Sequence, residues 1–391
     1  MQVRRWLIVM ETIALKFVFG ILPLSFDRRY ERFYNRTKDL ILSIVCMVLH
    51  LICGPIVCVV LYAMNVSQDN QITNVLSAFQ FAFVFFFILL VQIIFVKRKE
   101  SLHALLNEAF HLKHVLERVT NRSIVEFRSY TLFLFKIIIV DIFIQLLTLY
   151  TFEENTLERA GGVLFVCSLL FYLMMYIITI IENCILLGVL ICGVMQEMIN
   201  IIMKQLARSR LDFPREGSSP IRGRPSVLQM YMLHCKNEEI VTKFVETLNC
   251  PTLMLTAWYF FMIVYSVYYM YVYAFEVSQR GVRLELNSYF NPLIFFLYQC
   301  AQLYLLVLIP SVYTDHAKKM LRLLNYVTAN QHPYRPAQER LIEVLMIDCM
   351  QRNYSISNYG MYALNRALLF GMIATMTSYL IILIQFHIQS V

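Results

Sequence analysis

The sequence predicts an all-α membrane protein with seven transmembrane helices, a cytoplasmic N-terminus and an extracellular C-terminus. Three observations predict it. The chain is 59% hydrophobic and 15% charged, where soluble domains carry about 25% charged residues. Seven apolar runs are each long enough to cross a bilayer, which takes about 20 residues. Lysine and arginine sit almost wholly on one side of those runs: segments 1–39, 97–129, 196–250 and 314–358 hold 29, and segments 65–74, 151–162, 276–291 and 387–391 hold 3. Basic residues of short loops stay cytoplasmic, so the first set is inside.

The spans are Leu40–Met64, Val75–Val96, Tyr130–Tyr150, Val163–Met195, Pro251–Phe275, Pro292–Tyr313 and Gly360–Phe386. The fourth, at 33 residues, is expected to tilt or to project into the cytosol. Ahead of the first, Arg4 and Arg5 precede an apolar run that Glu11 and Lys16 interrupt, with no small-residue cleavage site, so this is not a secretory signal. Leu102, Leu105, Leu106, Leu112, Val115 and Leu116 recur at helical spacing. Residues 226–249 and 337–358 are similarly amphipathic. The helices should therefore continue below the membrane into a cytoplasmic bundle. Pro214–Pro225, PREGSSPIRGRP, reads as a flexible loop. The net charge of +8 is spread over the inner loops and does not indicate nucleic acid.

Several polar residues lie within the spans. Lys136 and Asp141 occur in the third, Glu182 and Asn183 in the fourth. Two readings fit. Lys136 snorkels while Glu182 sits in a wet helix extension, or the two form an ion pair coupling the third and fourth helices. Asp141, near mid-membrane, reads as facing a cavity, with Gln145 one turn on. The fifth span carries Trp258, Tyr265, Tyr268, Tyr269 and Tyr273 at helical spacing toward its outer side. Tyr298, Gln299 and Gln302 lie at comparable depth in the sixth, and Phe171, Tyr172 and Tyr176 in the fourth. These rings suit the membrane interface belt, or an outward-open apolar pocket with a few hydroxyls and amides, as a small-molecule site requires.

His103, Glu108, His111 and His114 share a cytoplasmic helix and read as a solvated face rather than a metal site. No cofactor is expected. Asn291-Pro292 marks a helix start. Of the sequons at Asn35, Asn65, Asn121 and Asn353, only Asn65 is extracellular, which makes it the glycosylation candidate. None of the ten cysteines falls in an outer loop, so no extracellular disulfide is expected. No Ser/His/Asp arrangement or paired carboxylates indicate an enzyme.

The last helix carries small residues at Gly360, Ala363, Ala367, Gly371 and Ala374, spaced by three or four, which permits close approach of another helix. A second, partly polar stripe runs through Ser378, Ile381, Ile382 and Gln385. This helix reads as the wall of a pore.

The run Tyr379-Leu-Ile-Ile-Leu-Ile-Gln385-Phe386 resembles the signature of insect gustatory receptors, in which a TY pair precedes five hydrophobic residues and QF. Gly360-Met-Tyr-Ala-Leu-Asn365-Arg-Ala-Leu-Leu-Phe370 is similar to that family's approach to the seventh helix. Ser378 stands where the motif has Thr, and Asn365 where an acidic residue is common. The resemblance implies a ligand-gated, non-selective cation channel, assembled as a homo- or heterotetramer in the plasma membrane of sensory neurons. Ser378, Tyr379, Ile381, Ile382, Gln385 and Phe386 would line the pore, with Gln385 and Phe386 at the gate. The ligand would enter from outside, onto Asp141, Gln145, Tyr172, Tyr176, Trp258, Tyr265, Tyr268, Tyr269, Tyr298, Gln299 and Gln302. An outer half rich in Tyr, Phe and Met, with few carboxylates, favours apolar, bitter-type tastants over sugars. A metabotropic seven-helix receptor and a secondary transporter are the competing readings. The implied organisation is a cytoplasmic N-terminal segment (1–39), helices one to six with the ligand cavity (40–313), a cytoplasmic anchor segment (314–358), the pore helix (359–386) and an extracellular tail (387–391).

Overall fold

The computed structural model describes residues 2–18, 20–27, 29–65, 71–120, 124–147, 162–208, 226–280, 286–330 and 336–390. Among these, seven helices are long and apolar enough to cross a membrane. In chain order the helices are α1 (Gln2–Ile13), α2 (Thr37–Asn65), α3 (Gln71–Lys97), α4 (Lys99–Thr120), α5 (Ile124–Phe135), α6 (Gly162–Arg208), α7 (Val227–Arg280), α8 (Leu286–Asn330), α9 (Pro336–Gln351) and α10 (Arg366–Ser390). Two π-helical segments, Ala14–Val18 and Lys136–Phe143, follow α1 and α5.

The expected helix extensions are present. The helix α7 runs 54 residues, or about 80 Å at 1.5 Å per residue, against a hydrocarbon core of about 30 Å. The fourth span is likewise part of a 47-residue helix. On the basic-loop side, α4 packs on α6 and α7, and α9 packs on α8. The helix α6 is the axis of the chain, touching α2, α3, α4, α5, α7 and α8. One of its glycines permits this packing: a Cβ on Gly188 would lie 2.2 Å from Cζ of Phe244. A leading Pro292 is not observed. It lies inside α8, six residues after the start, as Pro251 and Pro310 lie inside their helices. Neighbouring helices and local adjustment re-satisfy the freed backbone groups.

Two short hairpins sit on the basic-loop side. Strands β1 (Ser25–Asp27) and β2 (Arg32–Tyr34) pair antiparallel. Their turn is held by Asp27 Oδ1, which accepts from the Arg29 amide at 2.7 Å. Asn107 and His103 of α4 bind the backbone of Phe33, and His114 lies 3.6 Å from Glu31 and 3.3 Å from Glu117. These histidines are thus not a solvated face: His103 and His114 dock the hairpin, and only His111 is exposed.

The last helix starts later than its apolar pattern suggests. Strands β3 (Ser357–Asn358) and β4 (Tyr362–Ala363) pair across a turn in which Tyr359 has φ +49° and Gly360 φ +70°. Two successive left-handed residues define a tight I′-type turn. Gly360 and Ala363 therefore drop out of the small-residue stripe, which keeps Ala367, Gly371 and Ala374. Asn365 takes a different role from an ion pair: its Oδ1 accepts from the Leu368 amide at 3.2 Å, which caps the helix N-terminus.

Candidate functional site

Four polar residues of the spans converge on one buried knot. Lys136 and Asp141 are five residues apart. On an α-helix that spacing separates them around the axis. The π-helical segment Lys136–Phe143, whose bonds run from i to i+5, brings them together: Lys136 Nζ lies 2.9 Å from Asp141 Oδ2. Lys136 also donates to Asn183 Oδ1. Asn183 Nδ2 donates to Asp141 Oδ2 at 2.7 Å, and Gln302 Nε2 to Asp141 Oδ1 at 2.6 Å. Three helices are tied through one carboxylate. Asp141, Glu182 and Gln302 are fully buried, and Lys136 nearly so.

The sequence-based pairing of Lys136 with Glu182 is corrected here. The partner of Lys136 is Asp141, and Glu182 instead accepts from Tyr259 of α7. Neither snorkelling nor a wet extension holds. The sequence offered one unused clue. Two opposite charges in a single span are costly unless paired. Glu11 of α1, which in the sequence only interrupts an apolar run, is buried within electrostatic reach of Lys136 and Asp141.

The outer aromatic residues differ in burial. Tyr298 bonds Thr179 at 2.7 Å and Gln145, and Gln299 is buried beside it in sequence. Tyr176 lies within electrostatic reach of Asp141, and Tyr172 is half-buried. Trp258 is buried and stacks on Phe83 at 5.4 Å. Tyr265 bonds Ser77 at 3.3 Å. Tyr268 is buried near the ring of His387, whereas Tyr269 is exposed. Trp258, Tyr268 and Tyr298 are interior, Tyr172, Tyr176 and Tyr265 are half-buried, and Tyr269 has the exposure of a belt residue. The Asn65 side chain lies outside the described residues.

The last helix touches the rest of the chain along one stripe. Met372, Met376 and His387 are buried, and α10 meets only α7 and α8 among the pairs in extended contact. Tyr379 sets its ring edge-on to Phe260 at 5.8 Å. His387 stands among Tyr268, Tyr271 and Phe275. Ser378, Tyr379, Ile381, Ile382, Gln385 and Phe386 are all exposed.

Seven apolar helices around a buried polar knot, with the last helix left largely uncovered, define a multi-pass membrane protein. The chain belongs to the 7tm chemosensory receptor family, whose sequence model matches residues 15–390. It is a receptor family and not an enzyme family. The fold is similar to two structures of the insect olfactory receptor OR5 from Machilis hrabei, one of them in complex with eugenol. These share 13% and 12% identity with the chain, at a TM-score of 0.67, with 98% of each chain covered. At such identity the likeness is one of fold. Comparison with curated protein sequences returns no match.

Proposed function

We propose that the chain is a gustatory receptor: a ligand-gated, non-selective cation channel of sensory-neuron plasma membranes that responds to small apolar, bitter-type tastants. The observation that carries this reading is the last helix. Only 11% of its most apolar window is buried within the chain, and Phe370, Ile373, Ile381 and Phe386 are exposed by half or more. Lipid could cover such a helix. Its terminal Gln385, however, needs water or a polar partner at the hydrocarbon edge. Four copies around an axis would give both: helix contacts on the flanks and water in the middle.

In this arrangement Gln385 and Phe386 form rings near the outer mouth. A hydrophobic ring gates by dewetting, and an amide ring passes cations without strong selection. The ligand occupies the outer aromatic region bounded by Tyr172, Tyr176, Trp258, Tyr265, Tyr269, Tyr298 and Gln299. The helix α7 links that region to the pore, since Trp258 and Tyr265 share it with Phe260 and Tyr268, which meet Tyr379 and His387. A ligand shifts gating by its differential affinity for the open and closed arrangements, and four sites add their contributions.

Patch-clamp recording of the chain expressed alone, against bitter compounds and sugars, tests the reading. A ligand-evoked cation current is expected, and Phe386→Ala should raise the basal current. Unchanged basal current and ligand response in that variant would remove Phe386 from the gate. Uptake of substrate without conductance would make the chain a transporter.

A further inference from the structure

The N-terminal segment carries a surface that gating does not use. The helix α1 buries Leu7, Ile8 and Leu15 but exposes Trp6, Met10 and Ile13. These recur at i, i+4 and i+7 and so share one face. In β2 the buried Phe33 stands between exposed Arg32 and Tyr34, whose side chains therefore point the same way, outward. Arg29, Arg36 and Lys38 are exposed as well. None of these four cations has a carboxylate partner among the described residues.

An open cleft of about 380 Å³ lies between α1 and this hairpin. Val9, Ile13 and Phe26 supply its apolar lining, and Lys16, Tyr34 and Arg36 its polar lining. The two carboxylates at hand are already engaged. Asp39 pairs with Lys16 at 2.7 Å, and Asp27 accepts from the Arg29 amide to hold the turn. Arg36 is thus the uncommitted charge of the cleft.

Position selects the ligand. The first membrane span, α2, begins at Thr37, immediately after Arg36. Its opening turns expose Ile41, Ile44, Val45 and Val48, as a surface facing hydrocarbon does. The cleft therefore stands at the headgroup boundary of the basic-loop side, which charge asymmetry makes cytoplasmic. Amphipathic helices with tryptophan on their apolar face settle at that depth, and the cytoplasmic leaflet carries the anionic lipids. A soluble anion would engage the cations but leave Trp6, Met10 and Ile13 uncovered. A neutral lipid would cover the apolar face but leave the cations unmatched.

We propose that the cleft between α1 and the first hairpin binds an anionic phospholipid of the inner leaflet. The phosphate sits on Arg36, with Arg32 and Lys38 adding to the positive field. An acyl chain lies along Trp6, Met10 and Ile13. Binding does not depend on channel activity, and it ties α1 to the start of the first span.

The chain has two tryptophans: Trp6 on this face, and Trp258, which is buried. Brominated acyl chains quench tryptophan on contact, so the purified full chain, reconstituted in vesicles, reports its own lipid. Quenching by brominated phosphatidylserine should exceed that by brominated phosphatidylcholine at equal mole fraction. Trp6→Phe should abolish the difference. The double variant Arg36→Gln with Lys38→Gln should lower the relative binding constant for phosphatidylserine by about tenfold or more, the effect expected of two cations at a membrane surface. Arg340→Gln, on α9 and outside the cleft, should leave it unchanged. Equal quenching by the two lipids, a difference that survives Trp6→Phe, or a preference that survives the double variant would each overturn the proposal. So would loss of the preference on adding inorganic phosphate at constant ionic strength, which would make this a site for a free anion.

Discussion

The helices α6 and α10 are both long apolar spans, and composition does not tell them apart. Yet 78% of the most apolar window of α6 is buried inside the chain, against 11% for α10. The difference lies in what their polar residues reach for. In α6, Thr179, Asn183, Gln196 and Asn200 bond to other helices, which fixes α6 at the centre. In α10, Thr375, Thr377 and Ser378 bond their own backbone four residues back, at 2.8, 2.9 and 3.2 Å. Such hydroxyls are satisfied without a neighbour and ask for no partner within the chain. Hydrophobicity puts a helix in the membrane; the reach of its polar groups decides whether it becomes core or face.

That comparison can be broken most severely at Asp141. Removing one partner of a buried ion pair costs about 3–5 kcal/mol. Asp141→Leu should therefore abolish a sharp thermal transition in detergent. The double variant Lys136→Met with Asp141→Leu should recover much of the loss, since apolar replacement of both partners is often neutral. A double variant as unstable as the single one would show that Asn183 and Gln302, rather than the ion pair, set the cost.

Glycine sharpens the contrast. Gly188→Leu on α6 would drive into the buried ring of Phe244 and should cost about 1–3 kcal/mol. Around Gly371 of α10 nothing lies within 4 Å of a built Cβ. Gly371→Leu should leave the melting temperature of the isolated chain intact and alter only its assembly. Equal destabilisation at both sites would mean that α10 is already packed within one chain.

A third expectation concerns His234 of α7, which binds Gln196 of α6 at 2.9 Å and lies near Tyr354. Burial, reinforced by the Arg352 charge and opposed by Asp348, pushes its imidazole down to about 4. The folded chain thus binds fewer protons than the unfolded one. The stability from this group is complete above the ordinary value of 6.5 and is lost as the pH falls toward 4. Between pH 7 and 5.5 the loss should be about 1 kcal/mol, read as a fall in melting temperature that His234→Gln flattens. The smallest effect is expected at the cap of α10. Asn365→Ala should cost about 0.5–1 kcal/mol, seen as faster amide exchange in the first turn of that helix.

Much of this was legible in the residues. The seven spans and the long basic-side helices followed from apolar runs and charge asymmetry, because both depend on composition over tens of residues. The late start of the last helix did not. Met361-Tyr-Ala-Leu is as apolar as the helix that follows, and only the left-handed Tyr359 and Gly360 with the Asn365 cap divide the two. The Lys136–Asp141 contact was hidden for another reason. It needs a π turn, and no residue propensity announces one. Trp258 and Tyr298 proved to be interior because Phe83 and Thr179 stand opposite them, a fact of helix neighbours rather than of spacing.

The buried guanidinium of Arg4 has a practical consequence. It donates to Glu31 at 3.1 Å and to Glu117 at 3.3 Å, while Lys113 lies 3.6 Å from the same Glu31. The opening residues are thus a latch holding α1 and the first hairpin to α4. Shortening the chain past Arg4 to improve expression would leave a carboxylate cluster short of one cation. An affinity label added ahead of Gln2, with the latch kept, is the safer choice.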